Sequence, residues 1–262
     1  MVDFEGKRPY DLEALVEIMR LLRTPEGCPW DRAQTHASIR RNFLEETYEA
    51  LDALDRDDAD ALCEELGDVL LQVVFHAQIE AERGHFTMSD VVDGVAHKLV
   101  FRHPHVFGSQ SAENSDQALN TWENQKVVEK GQETVSDTVE AVPHTLPALW
   151  RAEKECKRAE KGGFRFPDRG LAALEEAVTA LRTAASTGRG TDWQNALGDV
   201  LFAGAKLAQR TEVDPEEALH GACDRFAARF RSMEEAAKIP LSDCTPEELT
   251  ALWTAAGNAS QS

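Results

Sequence analysis

The acidic stretch NFLEETYEALDALDRDDADALCEELGDVLLQVVFHA, residues 42–77, restricts the fold more than any other part of the chain. Apolar residues recur at helical spacing on both sides of a run of aspartates, which is the pattern of two amphipathic helices joined by a short turn. The turn is predicted at Asp57. Because helices joined by a short turn lie antiparallel and side by side, the stretch predicts a helical hairpin.

Helical periodicity also dominates the rest of the chain. Helices are predicted at residues 11–23, 38–54, 58–83, 90–101, 146–161, 171–185, 192–209 and 215–237. Ser89 is the predicted cap of the helix that begins at residue 90, and Pro104 follows its end. On the helix over 58–83, the predicted core-facing residues are Leu62, Leu66, Val69, Val73 and Ala77. Since no alternating strand pattern is found, the predicted class is all-α.

Three motifs of the first half recur in the second half in the same order. LEE at 44–46 recurs at 174–176, LGDVL at 66–70 recurs at 197–201, and Lys98 with Arg102 recurs as Arg225 with Arg229. Repetition about 130 residues later indicates one helical module that has been duplicated. The predicted domains are an N-terminal module at 1–110, a polar connector at 111–145 with one helix over 119–130, and a C-terminal module at 146–262.

Composition excludes several classes of protein. A net charge of −19 argues against general binding to nucleic acid or to an anionic membrane. A polyanionic substrate would therefore be bound through a metal cation and a few local basic residues. The chain has no apolar run long enough to span a membrane, and MVDFEGKRPYDLEAL lacks the apolar core of a signal peptide. Its 5 cysteines include no CxxC pair, which predicts reduced thiols and a cytoplasmic location.

Four carboxylates occupy matched positions in the hairpin. Glu49 and Glu65 are equally far from Asp57 in sequence, and so are Glu46 and Asp68. At a rise of about 1.5 Å per residue, the first pair lies level about 12 Å from the turn, and the second pair lies one helical turn further. Within each helix the i, i+3 spacing keeps both side chains on one face. The sequence therefore predicts that four carboxylates converge between the two helices.

Convergent carboxylates beside a core repel one another, and a hard divalent cation removes that repulsion. Ligation by oxygen alone favours Mg²⁺ or Mn²⁺ over zinc. Taken alone, the acidic residues of EExxE would be an ordinary solvated helix face. Six other acidic residues are assigned to solvent: Asp52, Asp55, Asp57, Asp58, Asp60 and Glu64. His76 lies on the same strip as Glu65 and Asp68, where it is either a neighbour of the site or a ligand.

These motifs resemble those of the MazG-type nucleoside triphosphate pyrophosphohydrolases. The resemblance rests on EExxE at 45–49 with ExxD at 65–68, on GCPWD at 27–31 followed by Gln34-Thr35, on KLVFRHPHVFG at 98–108 and on PALWRAEKECKRAEKGGFRF at 147–166. It covers nearly the whole chain and includes the layout of two modules.

The resemblance implies hydrolysis of nucleoside triphosphates between the α and β phosphates, which gives a monophosphate and pyrophosphate and requires Mg²⁺, with Mn²⁺ as a possible substitute. It implies that Glu46, Glu49, Glu65 and Asp68 bind the metal, with Glu46 and Glu49 as the catalytic pair and Glu46 as the preferred proton acceptor. The predicted substrate-binding residues are Lys98, Arg102, Trp30, Lys154, Arg158 and Lys161.

Each of these substrate contacts has a structural alternative. Lys98 and Arg102 could be a surface pair, Trp30 could be a buried core residue, and the basic residues of 154–161 could be a solvated helix face. His103 and His105 could act on phosphate, although Pro104 between them indicates the end of a helix.

The second module departs from the metal-binding pattern. Thr179 and Ala196 stand where the first module has glutamates, so that only Glu176 and Asp199 remain. The register about the STGRG turn is kept, which predicts a conserved fold without metal affinity. The first module is therefore expected to catalyse and the second to be structural or regulatory.

Two other readings of the sequence stay open. A di-iron carboxylate bundle would use Glu-x-x-His pairs, and Glu82–His85 and Glu217–His220 have that spacing. A non-enzymatic, partner-binding helical protein would use the acidic faces as contacts. The family resemblance also implies a homodimer, since helical hairpins bury their apolar faces better by pairing into four-helix bundles.

Overall fold

A computed structural model of the chain describes Phe4 and residues 8–129, 131–165, 170–187 and 190–259. This part is built from helices and loops without strands, which confirms the predicted all-α class. None of its helices is both long enough and apolar enough to cross a bilayer. The chain divides into two compact units, Met1–Lys126 and Val127–Ser262.

The first unit is organised around an antiparallel helical hairpin. Its helices are α1 Leu12–Leu22, α2 Pro29–Ala33, α3 His36–Asp55, α4 Ala59–Glu82, α5 Met88–Arg102, α6 Pro104–Phe107 and α7 Ser115–Glu129, which continues past the limit of the unit. Helices α3 and α4 pack along each other, and α1 packs on α4. Asp57 has a φ of 52°, the left-handed conformation of a tight turn. The predicted hairpin and its turn are thus confirmed.

The core of this unit lies where α1 and the start of α3 meet the second half of α4. It is formed by Met19, Ile39, Val74, Phe75 and Ile79. The predicted core stripe of α4 is wrong at Leu66, which is 54% exposed. The buried residues of α4 lie between Gln72 and Ile79, because that is the half on which α1 packs.

The predicted cap of α5 is also wrong. Thr87, not Ser89, caps this helix: its hydroxyl accepts from the backbone N–H of Asp90, and the Asp90 carboxylate accepts from the N–H of Thr87. This reciprocal arrangement is a capping box, which satisfies two backbone donors at the start of a helix. Helix α5 therefore begins at Met88, two residues before the predicted start.

The second unit has a hairpin of its own. Its helices are α8 Val135–Glu140, α9 Ala148–Lys161, α10 Leu171–Thr187, α11 Gly190–Arg210, α12 Pro215–Ala236 and α13 Pro246–Ala259, with a 3₁₀ turn at Leu241–Asp243. Helices α10 and α11 pack together, and α11 packs on α9. Residues 188 and 189 of the predicted STGRG turn, and Phe166 at the end of the α9 motif, lie outside the described residues.

The segment predicted as a connector, 111–145, is largely helical. Helix α7 begins at Ser115, four residues before the predicted helix, and α8 was not predicted. The division between the two units falls within this segment. The proposed limits of the two modules themselves stay a prediction.

Candidate metal centre

Three glutamates meet between the two long helices of the first unit. Glu46 and Glu49 lie one turn apart on α3, and Glu65 lies opposite them on α4. One carboxylate oxygen from each lies within 4.8 Å of the others. The hairpin produces this convergence because residues equally distant from its turn are level in antiparallel helices.

Repulsion between these carboxylates changes their pKa values. Partial burial, and then the charges of Asp68, Glu49 and Glu65, raise the pKa of Glu46 above its usual range. The pKa of Glu65 is also raised, by desolvation and by Glu49 and Asp68, although Arg56 opposes the shift. Like charges held close together favour the protonated form, and a bound cation would relieve the same repulsion.

The donor set fits a hard divalent ion. Oxygen atoms bound to one Mg²⁺ at about 2.1 Å lie roughly 3 to 4 Å apart, so small side-chain rotations would bring the three carboxylates onto a common ion. Asp68 is half-buried and close enough to raise the pKa of Glu46 and Glu65, but it is not in the set of mutually close oxygens. The six acidic residues assigned to solvent are all exposed.

The two basic candidates on α5 differ in their surroundings. Lys98 is exposed, whereas the half-buried guanidinium of Arg102 lies 5.2 Å from the ring centre of Trp122 on α7. Lys126 contacts the same ring at 5.2 Å. The structure thus places Arg102 against an aromatic face, a favourable position for a cation.

Trp122 is a residue that the sequence reading missed, although the internal repeat contains a signal for it. In the second unit Arg229 stands 3.8 Å from the ring centre of Trp253 and donates to its carbonyl oxygen. Arg102 and Arg229 are equivalent positions of the repeat. The same kind of arginine–tryptophan contact therefore occurs in both units, with the tryptophan on α7 in the first and on α13 in the second.

Trp30 lies on α2 and is 59% exposed, so its reading as a buried core residue is wrong. The GCPWD segment around it is held by Arg23, whose side chain is only 6% exposed. Its guanidinium donates to the backbone carbonyls of Asp31 and Gln34 and pairs with Glu82. Trp30 is thus presented to solvent on a fixed segment.

The basic residues predicted on α9 belong to the second unit. Lys154 and Lys161 are exposed. Arg158 is half-buried and donates to the backbone carbonyl of Thr138, so that it joins α9 to α8. Their predicted role in substrate binding stays a prediction.

The carboxylate positions of the second hairpin contain two uncharged residues. Thr179 donates its hydroxyl to the carbonyl of Glu175 within α10, and Ala196 is a buried residue of α11. Glu176 and Asp199 remain on the two helices. The described residues contain no second group of converging metal ligands.

The structure also shows the surroundings of His103 and of the first Glu-x-x-His pair that the di-iron alternative would use. His103 ends α5 and its Nδ1 donates to the carbonyl of Leu99, which is a structural contact. Glu82 pairs with Arg23, and His85 lies beyond the end of α4, bonded to Glu80. Because both groups of the first Glu-x-x-His pair have other partners, the structure gives the di-iron reading no support.

Comparison with known proteins identifies the family. Residues 34–107 match the model of the MazG nucleotide pyrophosphohydrolase domain, a range that contains all four predicted metal ligands. The chain is similar to the nucleoside triphosphate pyrophosphohydrolase/pyrophosphatase MazG of Thermotoga maritima, with 41% identity over 92% of this chain and 93% of that protein. It is similar to the nucleoside triphosphate pyrophosphohydrolase of Escherichia coli K12, with 41% identity over 85% of this chain and 87% of that protein.

A further relative is longer than this chain. The uncharacterized protein YabN of Bacillus subtilis is 40% identical over 94% of this chain, which spans only 52% of that protein. Identity of this level along nearly the full length of the Thermotoga protein, together with the domain match, shows that the chain belongs to the MazG nucleotide pyrophosphohydrolase family.

Proposed function

We propose that the first unit hydrolyses nucleoside triphosphates between the α and β phosphates, with Mg²⁺ as its metal and Mn²⁺ as a substitute. The observation that carries the proposal is the convergence of Glu46, Glu49 and Glu65 between α3 and α4. The names of the Thermotoga and Escherichia relatives support the reaction. The domain match over this hairpin supports its assignment to the first unit.

The carboxylates would have two tasks. Glu46, Glu49, Glu65 and Asp68 would hold the ion, which when bound neutralises the triphosphate and polarises the phosphoryl group under attack. Glu46 is the preferred proton acceptor, because burial and its acidic neighbours raise its pKa and a raised pKa makes a carboxylate a stronger base. It would take the proton of the attacking water.

Basic and aromatic residues would bind the rest of the substrate. Lys98 is the exposed cation of α5 that would meet phosphate oxygens, and Arg102 would act from its place against Trp122. Trp30, held on the segment fixed by Arg23, offers an exposed face on which a base can stack. The basic face of α9 is a further candidate for phosphate contact.

The second unit is proposed to be structural or regulatory. Its hairpin keeps Glu176 and Asp199 but has Thr179 and Ala196 at the other two positions. Two carboxylates without the other pair are a poor site for Mg²⁺, which demands near-ideal octahedral geometry.

The test is pyrophosphate release from a panel of standard and damaged nucleoside triphosphates, with Mg²⁺, with Mn²⁺ and with a chelator. We expect Glu49→Gln to lower the rate by about 100-fold or more, because it removes a metal ligand. Asp199→Asn should leave the rate within about twofold, since it lies in the hairpin that lacks the other ligands.

The matched control is Glu45→Gln, which removes the same charge from the neighbouring residue. Glu45 pairs with Arg41 at 2.8 Å and is not one of the three mutually close carboxylates, so this variant should keep its activity. Intact hydrolysis in Glu49→Gln together with its loss in Asp199→Asn would reverse the assignment of the two units. Absence of release from every substrate would favour the non-enzymatic, partner-binding reading.

We also propose that two copies of the chain associate through the first hairpin. Its exposed apolar side chains, Leu44, Tyr48, Leu51, Leu66 and Leu70, recur at helical spacing on α3 and α4. An apolar strip of this kind is stabilised by a second helical hairpin, as in a four-helix bundle. Sedimentation equilibrium should show a dimer, and Leu44→Glu with Leu66→Glu should shift it towards the monomer. A monomer at micromolar concentration would rule this out.

A further inference from the structure

A second polar cluster lies at the end of the α3–α4 hairpin opposite its turn. His36 is the first residue of α3, and its Nδ1 lies 2.7 Å from the Nδ1 of His76 on α4. The two ring planes are nearly parallel, 10° apart, and their centroids are 4.9 Å apart. The other nitrogen of His36, Nε2, lies 2.5 Å from a carboxylate oxygen of Glu80.

These contacts fix where the protons are. An ionised carboxylate only accepts, so the Nε2 of His36 must carry a proton. In neutral His36 the Nδ1 is then an acceptor, and the proton between the two facing nitrogens must belong to the Nδ1 of His76. The geometry therefore requires opposite tautomers: Nε2–H for His36 and Nδ1–H for His76.

We propose that His36 and His76 form a proton-sensitive clasp between the start of α3 and α4, closed while the facing nitrogens share one proton and opened when both rings are charged. A first added proton can be accommodated, because His36 can become the donor while His76 moves its own proton to Nε2. A second added proton leaves two N–H groups facing each other with no acceptor between them. It also places two cations side by side.

The surrounding charges favour one added proton and oppose two. Glu80, with a side chain 13% exposed, is the anion of the cluster, and it also accepts from His85 and Arg83. A charge on His36 is therefore balanced by Glu80. From α1, the charged group at this end is Arg23, which is engaged with Glu82. On α3 the phenyl ring of Phe43 lies against His76, and within the described part of the chain no carboxylate is paired with that ring.

The pKa directions agree with this geometry. Burial, and then the charge of His36, lower the pKa of His76. A histidine with a lowered pKa binds its proton more readily in the unfolded chain, so the protein loses stability as the pH falls below about 6.5. Hydrogen bonds from His85 and His36 lower the pKa of Glu80 to about 2. The contribution of Glu80 is therefore present above pH 4.5 and is lost only in a more acidic range.

The clasp is separate from the carboxylate cluster. His36 precedes Glu46 by about 15 Å along the helix axis, at about 1.5 Å per residue. It immediately follows the segment that Arg23 fixes, so that opening the clasp would release the first turn of α3 and the end of that segment. The proposal can therefore fail or hold independently of the hydrolytic activity.

The direct test uses the whole chain with ¹⁵N-labelled histidine and NMR of the ring nitrogens from pH 8 to pH 4.5. We expect Nδ1–H for His76 and Nε2–H for His36 at pH 8. On acidification the first proton that the pair gains should convert His76 from Nδ1–H to Nε2–H. Nε2–H in both rings at pH 8, or simultaneous independent titration of the two, would overturn the proposal.

A pair of variants tests the effect on stability. His76→Phe cannot be charged and should abolish the drop in urea midpoint that the wild type shows between pH 7.5 and pH 5, a range above the window of Glu80. The control His97→Phe replaces an exposed histidine of α5 and should keep the full drop. An undiminished drop in His76→Phe would also overturn the clasp, and if that variant fails to fold, the ring nitrogens of the wild type still decide.

Discussion

Replacing Glu46 with glutamine should make the metal-free protein more stable than the wild type. In the presence of Mg²⁺ the same variant should be less stable than the wild type. Glu46 is held among like charges, two of which have oxygens within 4.8 Å of its own. Unit charges about 4 Å apart repel each other by about 1 kcal/mol in a water-like medium. Since this site is only partly buried and salt screens it, removal of the charge should add about 1 kcal/mol to the free energy of unfolding at low ionic strength.

Binding of Mg²⁺ should make the wild type more stable than Glu46→Gln, the reverse of their order in chelator. An ion that binds only the folded state stabilises it by about 2.7 kcal/mol at 100 times its dissociation constant. The variant should lose most of this gain with its ligand. Melting temperatures measured in chelator and then in Mg²⁺ should therefore rank the variant above the wild type first and below it afterwards, with shifts of about 2–4 °C per kcal/mol.

The pH dependence has a definite sign. Because the pKa of Glu46 is raised in the folded state, the repulsion is present at neutral pH and is relieved as the carboxyl becomes protonated on acidification. The advantage of Glu46→Gln in chelator should therefore shrink from pH 7.5 towards pH 5.

Glu45→Gln separates a local effect from a general one. It changes the net charge equally, but it removes an exposed pair with Arg41, which is worth about 0.3–0.5 kcal/mol. It should thus be slightly less stable than the wild type, with a normal response to Mg²⁺. Equal stabilisation by Glu45→Gln, or a Glu46→Gln protein that melts below the wild type in chelator, would refute the reasoning.

Three further outcomes follow from contacts in the first unit. Gly27→Ala should lower the free energy of unfolding by about 2 kcal/mol or more, because the added Cβ would lie 2.3 Å from the carbonyl oxygen of Leu21. The control Gly94→Ala, which has open space around it in α5, should raise the free energy of unfolding by about 0.5–1 kcal/mol. Arg23→Met should cost about 2 kcal/mol, since it removes the charged donor that two partly buried carbonyls share, and limited proteolysis should then cleave near Trp30. Glu80→Gln should flatten the loss of stability between pH 4.5 and pH 3, measured by urea unfolding, because the pKa of the wild-type carboxyl is lowered to about 2. Normal stability of Gly27→Ala or of Arg23→Met, or an unchanged acid profile of Glu80→Gln, would contradict the respective contact.

Several features of the fold could be predicted from local patterns. The hairpin turn at Asp57 and the paired levels of Glu49 and Glu65 follow from the rise per residue of a helix. The cap of α5 was missed although its signal is local: Thr87 and Asp90 form a capping box. The predicted cap, Ser89, lies inside that first turn.

Other features depend on which surfaces meet. The exposure of Leu66 could not be predicted from the apolar pattern of α4. That pattern shows which residues share a face of the helix, but it does not show how far along the helix α1 covers that face. The exposure of Trp30 depends on the bonds by which Arg23 fixes the GCPWD segment. The contact of Arg102 with Trp122 joins α5 to α7, which are separated in the chain by α6 and a loop.

The sequence by itself determined the helices, the hairpin and the register of its carboxylates, because periodicity and turn chemistry act between neighbours in the chain. Tertiary structure alone decided that three of the four carboxylates form the close set, that Leu66 remains exposed and that His36 meets His76. These outcomes depend on how the faces of separate helices pack. Such packing is set by side-chain shape and burial over the whole unit, which no local pattern contains.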